Sequence, residues 1–80
     1  ISERITSGIV RERDSQLLAE AIVSAGRIFG KRITADGVSN ARQAQMLRQF
    51  GCDEMQGAFF AKPSSLEEIR EILDKSYRLP

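Results

Sequence analysis

Two stretches of this chain end alike. Phe29-Gly30 and Phe50-Gly51 each close an amphipathic segment. Each is followed by a short apolar run that finishes in a polar residue and a glycine, Asp36-Gly37 and Gln56-Gly57. The repeating unit is a helix followed by a strand, and this repetition constrains the fold more than any other feature. Alternation with tight connections argues for a parallel sheet with right-handed crossovers, covered on both faces. The fold class expected is therefore α/β. Two or three strands with three helices cannot close a sheet of their own. The chain thus reads as the last three βα units of a TIM-like (β/α) barrel, incomplete on its own. A start at Ile1 rather than methionine is expected of a piece of something longer.

Taken in order, Ile1, Ile5, Ile9 and Val10 sit at helical spacing interrupted by Gly8, and a strand end followed by a helical turn fits equally well. Arg11–Asp14 reads as a solvated connection. Leu17, Leu18, Ala21, Ile22, Ala25, Ile28 and Phe29 recur as one helix face, with Asp14 or Ser15 as cap and Gly30 as stop. Gly26 inside that helix costs about 1 kcal/mol relative to alanine and suggests close packing on a neighbour. Lys31–Ala35 is a short strand ending at the Asp36-Gly37 turn. Ser39 or Asn40 caps the next helix, where Asn40 and Gln43 have capping-box spacing. Ala44, Met46, Leu47 and Phe50 are its inner side. A second strand spans Cys52–Phe60. Ser64-Ser65-Leu66-Glu67-Glu68 is a doubled capping box, and Leu66, Ile69, Ile72, Leu73 and Tyr77 face inward from a last helix.

Composition narrows the function classes. With 80 residues there is at most one small domain, and a net charge of +1 gives no reason to expect nucleic acid or an anionic membrane surface as partner. Absence of histidine removes the commonest metal ligand and general base. Cys52, the single cysteine, cannot form an internal disulfide. No apolar run approaches the roughly 18 residues of a membrane span, and no secretory segment is present, so a cytoplasmic location is expected.

In barrels of this kind ligands bind at the C-terminal ends of the strands. Asp36 and Gln56 hold equivalent places there, so a carboxylate and an amide would point into one mouth. Alone, Asp36-Gly37 reads as a turn and Gln56 as a hydrogen-bonded polar residue; their recurrence on successive units puts a ligand site on equal terms. A strand glutamine without partners costs on the order of 1–3 kcal/mol, and the glycine beside it allows a backbone or ligand to come close. Phe59 and Phe60 would point to opposite faces of the strand, one into the core and one free to stack on a base. Glu67, Glu68, Glu71 and Asp74 read as solvated helix surface, as do Arg42 and Arg48, although either arginine can reach a phosphate. Cys52, Met46 and Met55 read as packing.

Ala35-Asp36-Gly37-Val38-Ser39 resembles the Ala-Glu-Gly-Val-Glu motif of the EAL-domain family, bacterial enzymes that hydrolyse cyclic di-GMP. Leu47–Pro63 resembles the family's Leu-Arg-x-x-Gly-Cys-Asp-x-x-Gln-Gly-x-x-Phe-x-x-Pro stretch nearly position for position, and the spacing of Asp36 and Gln56 matches as well. The likeness runs from roughly Leu18 to Leu73. It implies a modified TIM barrel of which residues 1–80 form the C-terminal part. It also implies that Gln56 hydrogen-bonds the ligand or catalytic cluster, and that Phe60, Lys62 and Pro63 lie near a guanine base. Asp36 stands at a catalytic glutamate, and Ser39 at a second glutamate that anchors a mobile loop beside the metals.

Three positions depart from the pattern. Ser2 falls where the family has the aspartate of a Lys-x-Asp motif, Asp36 replaces glutamate, and Ser39 replaces glutamate. Shortening a carboxylate by one methylene shifts it by about 1 Å, and such a misplacement can cost on the order of 10²-fold in rate. The family's metal ligands precede this segment. The chain itself therefore carries no metal site, and magnesium or manganese is expected only in an active full-length relative. These departures point to a degenerate module that binds cyclic di-GMP or acts through protein interaction, and a homo-oligomer or a partner protein is expected because exposed sheet edges and uncovered helix faces favour association. The alternatives are part of an active metal-dependent phosphodiesterase and a purely structural piece.

Overall fold

The computed structural model describes residues 1–60 and 64–76. Its elements are α1 (Glu3–Gly8), α2 (Arg13–Ile28), β1 (Thr34–Ala35), α3 (Ala41–Phe50), β2 (Glu54–Met55), β3 (Ser64–Ser65) and α4 (Leu66–Ser76). The sheet order is β1-β2-β3. β1 and β2 are parallel, pairing Thr34 with Glu54 and Ala35 with Met55, and α3 connects them. The expected α/β alternation is present, with an added helix at the start and an added strand before α4.

The strands are shorter than the apolar runs. Ladder bonds extend from the Ile33 carbonyl, which accepts from Asp53 and Glu54, to the Gln56 N–H, which donates to Ala35. Beyond Met55 the chain turns at Gly57, whose φ of 146° suits glycine. A Cβ there would lie 2.4 Å from both the nitrogen and the oxygen of Val38. Phe60 N–H then donates to the Gly57 carbonyl, so Phe59 and Phe60 lie in a turn and not on opposite faces of a strand. Their rings meet edge to face, with centroids 4.9 Å apart.

The sheet is also not wholly parallel: β3 runs antiparallel to β2, pairing Ser64 with Met55 and Ser65 with Glu54. On the far side of β1, Ile1 makes one rung of a parallel ladder. Its amino group donates to the Thr34 carbonyl and its carbonyl accepts from Asp36 N–H. A strand end followed by a helical turn is thus the arrangement of the first residues.

Helix α3 follows its sequence signals. Asn40 accepts from Gln43 N–H at 2.9 Å, and the chain leaves the helix at Gly51, which is left-handed. Ala44 and Leu47 are fully buried, while Met46 and Phe50 pack half-buried against the core. Helix α4 begins immediately after the second serine of its capping box, with the Glu68 N–H donating to Ser65 Oγ. Ile69 is buried, Leu66 is largely exposed, and Tyr77 lies outside the described residues.

Helix α2 departs from expectation in two ways. Its cap residue is Glu12, which makes no side-chain cap bond; instead Gln16 Nε2 donates to the Ile9 carbonyl at 3.1 Å, stitching the helix to the end of α1. Its buried residues are Ser15, Ala19, Val23 and Gly26. Leu17, Leu18, Ile28 and Phe29 face outward. Small residues line the inner side because neighbouring segments come close: a Cβ on Gly26 would fall 2.2 Å from Ile33 Cδ1, just ahead of β1, and one on Gly8 of α1 would fall 2.4 Å from Ser15 Oγ. The core beneath is Ile9, Ala19, Val23, Ile33, Ala35, Val38, Ala44, Leu47, Cys52, Met55, Phe60 and Ile69. Among the described residues no helix is long and apolar enough to cross a membrane.

Candidate functional site

The parallel register of β1 and β2 brings Asp36 and Gln56 side by side, each one residue past its strand. The Gln56 side-chain amide donates to the Asp36 carboxylate. Gln56 is held on its backbone too: its N–H donates to Ala35 at 2.9 Å and its carbonyl accepts from Val38 N–H at 3.0 Å. Val38 returns a second bond, accepting from Phe59 N–H at 3.0 Å. The loop after β1 and the loop after β2 are therefore clamped through Val38, and Gly57 is the residue that lets them touch. Asp36 is exposed and Gln56 half-buried, so the pair sits on an open rim. An exposed carboxylate with one oxygen engaged by an amide retains a second oxygen able to accept from a ligand N–H or O–H.

The remaining predicted positions divide. Ser39 is not free: its N–H and its hydroxyl donate to Gln43 Oε1 at 2.7 and 3.0 Å, which locks it into the cap of α3. Gln43 is a component that sequence reasoning assigned only to capping, and its buried side chain is the reason Ser39 is held. The Ser2 carbonyl accepts from Ile5 and Thr6 at the start of α1, and its side chain makes no cap bond. Phe60 is 7% exposed and offers little ring face, whereas Phe59 is half-buried. Lys62 and Pro63 lie outside the described residues. Val38 and Gly57 were not singled out as site residues; the only sequence signal for them was the glycine after each polar residue.

A cleft of about 590 Å³ opens elsewhere, between the end of α1 and the start of α3, with Arg11, Glu12, Asn40 and Arg42 on its walls. It does not include Asp36 or Gln56. Cys52 is buried, its thiol donating to the carbonyls of Glu54 and Ile33 at 3.2 and 3.4 Å. Burial pushes the thiol pKa up, against the lowering effect of the Glu54 carbonyl contact, so it is a packing residue rather than a nucleophile. Among the described residues no three of His, Cys, Asp and Glu gather closely enough to hold a metal. Asp36 alone does not make a magnesium or manganese site.

Residues 1–63 match the family model of the EAL domain. The match takes in Ile1–Leu17, ahead of the likeness seen in the motifs, and stops before Ser64. Over 59 residues the chain is 36% identical to the signaling protein YkoW of Bacillus subtilis, covering 74% of this chain and 7% of that protein. It is 35% identical over 69 residues to the oxygen sensor protein DosP of Escherichia coli, covering 86% of this chain and 9% of that one. Identity is 31% over 67 residues to the cyclic di-GMP phosphodiesterase NbdA of Pseudomonas aeruginosa, covering 84% and 8%. The chain spans less than a tenth of the length of each of these three relatives. Motifs, paired strand ends and family match agree, and the chain belongs to the EAL domain family.

Proposed function

We propose that this chain is the C-terminal part of an EAL-type barrel that binds cyclic di-GMP without hydrolysing it and signals through association. The observation that carries the reading is the Gln56–Asp36 hydrogen bond at neighbouring strand ends. It ties the one rim carboxylate to an amide and leaves a polar edge suited to the N–H groups of a guanine or to a ribose hydroxyl. Asp36 is a methylene shorter than the family's glutamate, and Ser39 spends its hydroxyl on Gln43. Neither replacement favours catalysis. Among the described residues no three of His, Cys, Asp and Glu gather to hold a metal, so the metals on which phosphodiester hydrolysis would rely would have to be held from outside this segment.

Calorimetric titration of the whole EAL domain carrying this chain with cyclic di-GMP tests the reading. Saturable binding is expected, weakened at least fivefold by Gln56→Ala, with no linear dinucleotide formed under excess manganese. Turnover by the unaltered protein would overturn it in favour of an active phosphodiesterase, the alternative supported by the name of the Pseudomonas relative.

A further inference from the structure

The cleft between α1 and α3 collects hydrogen-bond donors that the fold leaves unused. Arg11 and Arg42 stand on its walls, both exposed, and neither guanidinium makes an ion pair or hydrogen bond among the described residues. Gln43 adds an amide. It is 6% exposed and lines the cleft. Its Oε1 is fixed as the acceptor, because it takes the Ser39 N–H and hydroxyl at 2.7 and 3.0 Å. The amide nitrogen keeps both of its hydrogens without a partner among the described residues. A buried amide that uses only its oxygen is an exception in a folded chain. The little exposure that Gln43 retains is toward the cleft, so its unused donors lead there.

The start of α3 opens on the same space. Asn40 Oδ1 takes the Gln43 N–H, while the N–H groups of Ala41 and Arg42 make no hydrogen bond among the described residues. The first turn of α3 holds no acid, and its charged residue is Arg42. A cation there opposes the helix dipole instead of balancing it. Glu12 is the one carboxylate on the walls, and its Oε2 already accepts from Ser15 Oγ at 3.4 Å. Two guanidiniums thus face one carboxylate. A further barrel unit would not fill this space. It lies between consecutive units that both belong to this chain, whereas a preceding unit would pack on the flank of α2 away from α3.

We propose that the cleft binds the phosphate group of a small organic phosphate, as a site apart from the Asp36–Gln56 rim. Phosphate oxygens would accept from the Ala41 and Arg42 N–H groups, from Gln43 Nε2 and from the two guanidiniums. A phosphate monoester presents three terminal oxygens, one more than a carboxylate, to donors that arrive from both sides of the cleft. The volume of about 590 Å³ exceeds a bare phosphate and falls in the range of small-molecule sites, with Val10 and Ala41 as apolar wall for the rest of the ligand. The site does not depend on nucleotide binding at the rim.

Nuclear magnetic resonance of the isotopically labelled EAL domain carrying this chain, titrated with ribose-5-phosphate and with ribose at constant ionic strength, tests it. Saturable shifts are expected at the Arg42 N–H and the Gln43 side-chain amide with the phosphate ester, in the millimolar range or tighter, and none with ribose. Arg42→Gln should weaken binding at least fivefold and leave the unfolding curve in place, because the side chain is exposed. Arg27→Gln removes the same charge at the other end of α2, outside the cleft, and should leave the affinity unchanged. Shifts that do not saturate with the ester, that ribose reproduces, or that are as strong in Arg42→Gln would each overturn the proposal.

Discussion

Replacing Gly57 by alanine tests the clamp between the two rim loops. The added methyl carbon would lie 2.4 Å from the nitrogen and the oxygen of Val38 and 2.9 Å from the carbonyl carbon of Gly37. All three are backbone atoms, so no side chain can swing aside. Relief requires the loops to separate, which strains or breaks the bonds from Val38 N–H to Gln56 and from Phe59 N–H to Val38. Each such bond contributes about 1 kcal/mol net. The positive φ adds a further penalty of about 1–3 kcal/mol for a residue with a side chain. The expected loss is therefore roughly 3–5 kcal/mol, a large share of the ~5–15 kcal/mol that holds a domain folded. Gly30 is the matched control: its φ is 65° and nothing lies within 4 Å of a Cβ placed there. Gly30→Ala should cost only about 1–2 kcal/mol, from the left-handed backbone alone. Urea unfolding of the two variants against the wild type provides the comparison. For a chain of this size each kcal/mol also lowers Tm by roughly 4–8 °C. If Gly57→Ala proved no more destabilising than Gly30→Ala, the close contact with Val38 would not be what holds the loops together.

Other substitutions follow from single atoms. Thr6 Oγ1 is the one buried side-chain oxygen among the described residues that lacks a hydrogen-bond partner. Thr6→Val should therefore raise stability by about 1 kcal/mol, seen as a higher urea midpoint at unchanged slope. Asn40→Ala removes the acceptor for Gln43 N–H and should lower stability by about 1 kcal/mol, read in the same assay. Cys52 carries the pH dependence: its folded pKa is raised above the ordinary 9.0 by burial. Its contribution is fully present below that unfolded value and is lost as pH rises toward the folded one. Stability measured from pH 8 to pH 10.5 should fall, and Cys52→Ala should flatten that fall even though it lowers stability at pH 8.

Much of this arrangement was legible in the letters. Asn40, Gln43 and Gly51 delimit α3 because capping and left-handed termination depend on a few local bonds. Asp36 and Gln56 were placed on neighbouring strand ends because each precedes a glycine that ends its ladder. The two-residue length of β2 was not legible: Gly-Ala-Phe-Phe is apolar enough for a strand, and only the approach of Val38 turns it away. Helix α2 misled for a different reason. Its leucines and isoleucines describe a genuine face, but the neighbouring segments come so close that small residues fit on the inner side, Ser15 against Gly8 of α1 and Gly26 against Ile33. Ser64 and Ser65 announced the cap of α4, and nothing in them distinguished a cap residue from one that also pairs with β2.

Val38 has one more consequence. Because both of its peptide groups are spent on the neighbouring loop, neither rim segment can swing open by itself. On the proposed function, an arriving nucleotide would meet an acid and an amide whose separation was set during folding, with little freedom left to surrender on capture. Affinity at this edge should depend on the fit of the guest rather than on a gate, and alterations that loosen the hinge at Gly57 should slow docking and speed escape together.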